Sequence, residues 1–291
     1  MRAIDSYSWP GVPTRPPAAL QRGFTLVEIM VALTLGLLVL AGVIQVFLST
    51  QQSARIQQAA SRMQEDGRMA MALLSRYFRQ AGYTTYPWDK GGTVWAPAIN
   101  ARGFPASAPF AAGQVVSGAD ITANGVDTDS IRIRYQGAAD GSVTDCLGQT
   151  VPVNQMTDIT LSLSTTNPMP AQGQALMCTV NGAGGSTQPL VAGLEGMTIL
   201  YGLSRGPNGV DANGRLTGAT AYVPAAQVPA GDWNRVISIR ISLLVRSETN
   251  GLTLQAQTVT FNGVAVNAAD PTDTRMRYVM GTTANVRNQA P

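Results

Sequence analysis

From Phe24 to Leu48 the chain reads FTLVEIMVALTLGLLVLAGVIQVFL, twenty-five residues that carry a single charge, Glu28. About 20 apolar residues cross the hydrocarbon core of a bilayer as a helix, so this run is long enough to span one. Its flanks set a direction. Upstream, Arg2, Asp5, Arg15 and Arg22 sum to +2 in a leader rich in proline (Pro10, Pro13, Pro16, Pro17). Basic flanks stay cytoplasmic, so the N-terminus is expected inside and the remaining chain outside. A secretory signal would end in small residues at a cleavage turn after its apolar core. Here the core runs instead into QSARIQQAASRMQEDGR, with Ala54 and Ala59-Ala60 in what reads as continuing helix. The small residue at a charge-to-apolar boundary is Gly23, ahead of the run. Glu28 is the anomaly: a carboxylate inside an apolar span costs about 3 kcal/mol on insertion scales and points to function by default.

The helical signal continues past Gln51. Ile56, Ala60, Met63, Gly67, Ala70, Leu74, Tyr77 and Ala81 recur at spacings of three or four, one face of an amphipathic helix, with Arg55, Arg62, Glu65, Arg68 and Arg79 largely on other faces. Gly82 is a suitable C-cap. Phe24 to Ala81 is 58 residues, a rod of about 87 Å at 1.5 Å per residue, with Gly36 and Gly42 as points where it can bend.

After Tyr83 the periodicity turns strand-like. Ser130–Gln136, Asp158–Ser164, Ala175–Val180, Met197–Leu203, Arg235–Arg246 and Leu252–Phe261 read as strands. In Arg235–Arg246 the odd positions from Ile237 to Val245 form the expected buried face, with Ser238, Arg240 and Ser242 opposite. Asn-Gly pairs at 124, 181, 208, 213, 250 and 262 read as turns. The expected architecture is an antiparallel sheet with long loops packed on the outer half of the helix. Residues 83–130 and 204–232 read as surface excursions, Arg275–Met280 as a candidate edge strand, and Val286–Pro291 as frayed.

Composition narrows the chemistry. Histidine is absent, which removes His-based triads, His metal sites and His acid/base work. Only 13% of residues are charged, against about 25% in a typical soluble domain, and two cysteines cannot make a four-thiolate zinc site. No enzyme and no cofactor is expected. Cys146 and Cys178 are expected to pair as a disulfide, because they lie outside the cytoplasm beside strand-like segments. Closing that loop is worth roughly 3–4 kcal/mol on the chain-entropy model. The Asp127/Asp129 and Asn208–Gly214 loops carry oxygen ligands but lack the closing Glu of a calcium loop, so they read as solvated turns. Arg132, Arg134, Arg240 and Arg246 read as polar-face strand arginines, available to carboxylates of a neighbouring subunit. No basic cluster interleaved with aromatics accompanies them, so nucleic acid is not favoured as a partner.

The string RGFTLVEIMVALTLGLLVLAGV resembles the type IV prepilin signature, a basic leader ending in Gly23, then Phe24, then Glu28 five residues into the mature chain. Met63–Arg68, Arg79–Tyr83, Leu194–Met197, Tyr201-Gly202 and Trp233–Ser247 resemble the PilW family of minor pilins. The resemblance implies an α+β, type IV pilin-like fold: a leader 1–23, a long helix 24–82 (24–48 in lipid or fibre core, 49–82 amphipathic) and a β-rich domain 83–291 outside. It implies a prepilin peptidase cutting between Gly23 and Phe24, methylation of the Phe24 amine, and Glu28 paired in assembly with that amine on a neighbour. It further implies a minor pilin that assembles into or primes a type IV pilus, held first in inner-membrane lipid, with other minor pilins, the major pilin and a PilY-type tip adhesin as partners. A J-type pseudopilin of type II secretion and a component of a DNA-uptake pilus are the alternatives.

Overall fold

The computed structural model describes residues 23–84, 104–123, 125–153, 155–164, 174–182, 184–204, 216, 218–267 and 270–289. One α-helix, α1 (Leu26–Gln80), runs unbroken through Gly36 and Gly42. The chain divides into two units at residue 51. In the first, every described residue from Gly23 to Gln51 is exposed. Two of its hydroxyls are satisfied within the helix, Thr34 Oγ1 donating to the Val31 carbonyl at 2.9 Å and Thr50 Oγ1 to that of Val46 at 2.8 Å. Internal pairing of this kind is what an apolar medium demands of polar groups.

In the second unit the same helix becomes one-sided. Met63, Gly67, Ala70, Met71, Leu74, Ser75, Tyr77 and Phe78 are buried, a stripe that follows the spacing read from the sequence. Gly82, at φ 74°, supplies the left-handed residue past the helix end, and its N–H donates to the Arg134 carbonyl at 2.9 Å.

Thirteen strands follow among the described residues: β1 (Val116–Ala119), β2 (Thr122–Ala123), β3 (Val126–Asp127), β4 (Ser130–Gln136), β5 (Met156–Leu163), β6 (Ala175–Asn181), β7 (Thr187–Ala192), β8 (Leu194–Leu203), β9 (Ala221–Val223), β10 (Val236–Arg246), β11 (Thr258–Phe261), β12 (Val264–Asn267) and β13 (Arg277–Asn285). They form two main antiparallel sheets where one was expected: β1-β4-β5-β6-β7 and β13-β10-β8-β9, with β2-β3 and β11-β12 as separate hairpins. The chain passes from the first sheet to the second at Gly193, whose φ of 78° provides the bend between β7 and β8. Both sheets share one core with the buried stripe of α1. As expected, Asn262 and Gly263 take φ 51° and 79° in a two-residue turn between β11 and β12.

The β10 pattern is correct on one face and incomplete on the other. Ile239, Ile241, Leu243 and Val245 are fully buried, but so are Ser238 and Leu244 opposite. The β11-β12 hairpin and Val126 fold over that second face, where Leu244, Phe261, Val266 and Val126 make a small separate core. Local alternation cannot register a cover supplied from elsewhere in the chain.

Three other expectations are corrected for related reasons. Only Thr258–Phe261 of the segment 252–261 is strand; the Leu252 and Thr253 amides donate to the Thr274 carbonyl and draw the rest into a loop. The segments read as excursions hold Phe104, Phe110, Val115, Val116, Leu216, Ala225 and Val228 in buried positions, although 85–103 and 205–215 lie outside the described residues. The C-terminal end is docked up to residue 289: Val286 is buried with its N–H on the Ile237 carbonyl, and Asn288 Nδ2 donates to the carbonyls of Arg79 and Ala81 at 3.2 and 3.0 Å.

Gly196 reports on the second small core. A Cβ there would lie 2.7 Å from Val126 Cγ1, 2.9 Å from Phe261 Cε1 and 3.2 Å from Leu244 Cβ. Gly196→Val is expected to cost about 1–3 kcal/mol by overpacking, measured as a lowered thermal midpoint; an unchanged midpoint would contradict the packing.

Candidate functional site

The N-terminal end of α1 is built from four residues. Gly23 has no neighbour within 4 Å of where a Cβ would stand, and Phe24 is 78% exposed. Gly23, Phe24 and Thr25 precede the first helical turn in irregular backbone. Thr25 Oγ1 then accepts the Glu28 N–H at 3.2 Å. Thr25-Leu26-Val27-Glu28 therefore has the T-x-x-E form of a capping box, with Glu28 in the first turn where the helix dipole favours a carboxylate. The capping role of Thr25 was not read from the sequence, although the T-x-x-E spacing ahead of an apolar run carried it. The leader 1–22 lies outside the described residues.

Cys146 and Cys178 are joined in a disulfide, with Cα atoms 6.3 Å apart across a sequence separation of 32. Cys178 is in β6, so the bond ties the irregular segment after β4 to the first sheet. That segment holds the end of the helix: the Thr144 carbonyl accepts Gln80 Nε2 at 3.3 Å and the Tyr135 hydroxyl at 3.3 Å.

The strand arginines behave differently from expectation. Arg134 is buried because residues 104–114 fold over it; its guanidinium donates to the carbonyls of Pro105, Ala111 and Gln114 and stands 5.1 and 4.7 Å from the centres of the Phe104 and Phe110 rings. Burial lowers its pKa to about 10, with the Asp158 charge opposing, so it stays charged at neutral pH. Arg132 spends its charge inside the chain, on Asp158 across the β4–β5 pair, with Nε to Oδ2 at 2.7 Å. Arg240 lies 4.1 Å over the Tyr222 ring. Arg246 alone of these four has neither a salt-bridge partner nor a ring beneath it among the described residues.

The Asp127/Asp129 loop is a brace rather than a solvated turn. Asp129 is buried, accepting the Ile121 N–H at 3.1 Å and the Ile199 N–H at 2.8 Å, so one carboxylate links the approach to β4 with β8. Asp120 accepts the N–H groups of Ala225 and Ala226, each at 2.8 Å, and Asp127 accepts Thr198 Oγ1 at 3.1 Å. These oxygens are occupied, and no group of three metal-ligating side chains occurs among the described residues. The loop 208–214 lies outside the described residues.

A second buried acid–base group escaped the sequence reading. Arg277 has a fully buried side chain, donating to Glu195 at 2.6 and 3.1 Å and to Asp273 at 2.7 Å. Burial alone pulls its pKa down, but the bonds and charges of Glu195 and Asp273 outweigh that and raise it. Removing one partner of such a group leaves an uncompensated charge. Nearby, Tyr201 meets Trp233 edge-on with ring centres 5.0 Å apart. The resembling segments at 194–197, 201–202 and 233–247 thus converge on the second sheet.

Residues 164–288 match the family model of the type IV pilus-assembly protein W, and residues 19–44 match the prokaryotic N-terminal methylation motif. The pilin-like protein PilA3 of Thermus thermophilus is 40% identical over 72 residues, which are 25% of this chain and 30% of that protein, so the chain matches under a third of its relative's length. A solved type IV-like pilin from Thermus thermophilus covers 79% of this chain and 98% of its own at 14% identity, with a TM-score of 0.41. The chain therefore joins a long N-terminal helix, apolar at its start and overlapping the methylation motif, to antiparallel sheets, an α+β architecture. Over residues 164–288, under half of the chain, the resemblance is to the type IV pilus-assembly protein W family. The methylation motif and the apolar, uncovered helix fit an N-terminal membrane anchor.

Asp129 gives a pH test of the brace. Desolvation, eased by its two backbone hydrogen bonds and reinforced by Asp120 and Asp127, raises its pKa to about 6 from an ordinary 3.8. The folded state then holds the proton more tightly than the unfolded state, so this group adds stability as pH falls from above 6 toward 4 and withdraws it as pH rises. The change is on the order of 2–3 kcal/mol. Denaturant unfolding of Asp129→Asn across pH 4–7 is expected to lack that component; parallel curves for variant and wild type would contradict it.

Proposed function

We propose that the chain assembles into, or primes, a type IV pilus by packing its N-terminal helix into the fibre core. The observation that carries this reading is the uncovered apolar helix from Leu26 to Gln51, whose first part lies within a methylation motif matched at residues 19–44. At about 1.5 Å per residue, the 25-residue apolar run is about 37 Å long, enough to cross a hydrocarbon core of about 30 Å. Lipid covers it before assembly and like helices cover it afterwards, an exchange between surroundings of similar apolarity that costs little in either direction. The three-part division at 23 and 82, with the N-terminus cytoplasmic and the β-rich domain periplasmic, belongs to this proposal. The Cys146–Cys178 disulfide supports it, because such bonds persist outside the cytoplasm.

In this reading a prepilin peptidase cleaves between Gly23 and Phe24, where the backbone is irregular and uncrowded, and the Phe24 amine is methylated. The new terminus leaves one cation at the head of an apolar rod. Glu28 is the complementary charge, and pairing it with the Phe24 amine of a neighbouring subunit removes the penalty of an isolated carboxylate in an apolar core. Other minor pilins, the major pilin and a PilY-type adhesin are the proposed partners.

Gly23→Ala is expected to leave unprocessed precursor in the membrane, read by the intact mass of the membrane-extracted chain; mature-length protein in that variant would refute the cleavage site. Glu28→Ala is expected to be cleaved normally yet to be depleted from pili at least several-fold. Because Glu28 also stands at the box position three residues after the Thr25 cap, Glu28→Gln separates the two roles: it keeps a side chain able to cap and removes the charge. Depletion of both variants is the expected result, and normal pilus content of Glu28→Gln would reduce Glu28 to a helix cap.

A further inference from the structure

A cleft of about 390 Å³ opens between the second half of α1 and the ends of β7 and β10. Met63, Met69, Leu190 and Leu252 give it apolar walls, and Met69 is 52% exposed although its neighbours on the helix stripe are covered. Asp66 also lines it, half-buried, and among the described residues its carboxylate has no hydrogen-bond or ion-pair partner. This sets it apart from Asp120, Asp127, Asp129, Asp158, Glu195 and Asp273, all of which are engaged inside the fold. Burial raises the pKa of Asp66, Glu65 and Glu248 raise it further, and Arg62 opposes them. Arg62 itself lies 3.6 Å from Glu248 in an exposed pair. Arg55 also lines the cleft, and across it Arg246 is half-buried, with the charges of Glu195 and Asp273 acting on it but no hydrogen bond or ion pair to its guanidinium among the described residues.

Unpaired charge of either sign costs free energy when it is taken partly out of water, and a fold that satisfies its other buried carboxylates gains nothing by leaving Asp66 out. We propose that the cleft receives a basic side chain from a neighbouring pilin-class subunit, its cation on Asp66 and its alkyl stem along Met69 and Leu190, while Arg246 takes an acidic or carbonyl oxygen of the same segment. This rests on the reading of the chain as a fibre subunit. A lysine or arginine fits because its stem covers apolar surface while its head seeks a carboxylate. The contact is led by side chains: Pro189 and the irregular pairing at Leu190 leave β7 without a regular free ladder at this wall.

The test places a photocrosslinking amino acid at Met69 of the full chain in piliated cells. The expected result is a light-dependent adduct to a pilin-class subunit beside a lysine or arginine. Its yield should fall at least tenfold in Asp66→Lys and return when that partner residue is changed to Glu. Should Asp66→Lys lower the amount of folded chain, Asp66→Asn replaces it, with at least a threefold loss expected. If the chain is present in filaments but gives no adduct, gives adducts only to lipid or to proteins outside the pilin class, or gives a yield indifferent to Asp66, the cleft assignment falls while the fibre reading stands. If the wild-type chain is absent from filaments, both fall.

Discussion

One helix with two solvents organises this protein. From Gly23 to Gln51 the described chain has no covered residue, whereas beyond Met63 the same helix offers one face to a shared core and the other to water. An apolar surface of that length does not persist in water, because burying even one large aliphatic side chain is worth roughly 1.5–3 kcal/mol. Whatever covers the first half is therefore part of the structure, and the chain must obtain it from lipid or from other helices. The β-rich unit anchors the far half of the rod through buried side chains, the Thr144 carbonyl and the C-terminal Asn288.

Charge is distributed by the same economy. Among the described residues the fold uses its carboxylates as internal acceptors, with Asp129 joining the β4 approach to β8 and Glu195 and Asp273 neutralising a buried Arg277. Glu28 and Asp66 stand outside that pattern. The first sits in an uncovered apolar helix and the second in a cleft where, among the described residues, no cation is bonded to it. Carboxylates that a chain leaves uncompensated are natural points for a second chain to complete.

What the sequence made legible was local. The long helix, its buried stripe from Met63 onward and the strands read at 130–136 and 235–246, observed as Ser130–Gln136 and Val236–Arg246, all follow from periodicity within a single element. The disulfide followed from compartment and neighbourhood. Contributions from distant chain were not legible. Arg134 reads as a surface residue until residues 104–114 close over it, and Leu244 reads as outward-facing until the β11-β12 hairpin arrives. The Arg277 group draws on residues 195, 273 and 277, which no spacing rule connects. Likewise the cleft at Asp66 exists only once β7 and β10 end beside α1. At the N-terminus the missed element, the Thr25 cap, was local and readable from T-x-x-E.

The most direct measurement is the intact mass of the native chain recovered from purified filaments. A species that begins at Phe24 with a methylated amine, present in filaments and retaining the Cys146–Cys178 bond, is the result expected of a subunit that exchanges lipid for its neighbours. A chain that keeps residues 1–23 and never accompanies filaments would contradict it.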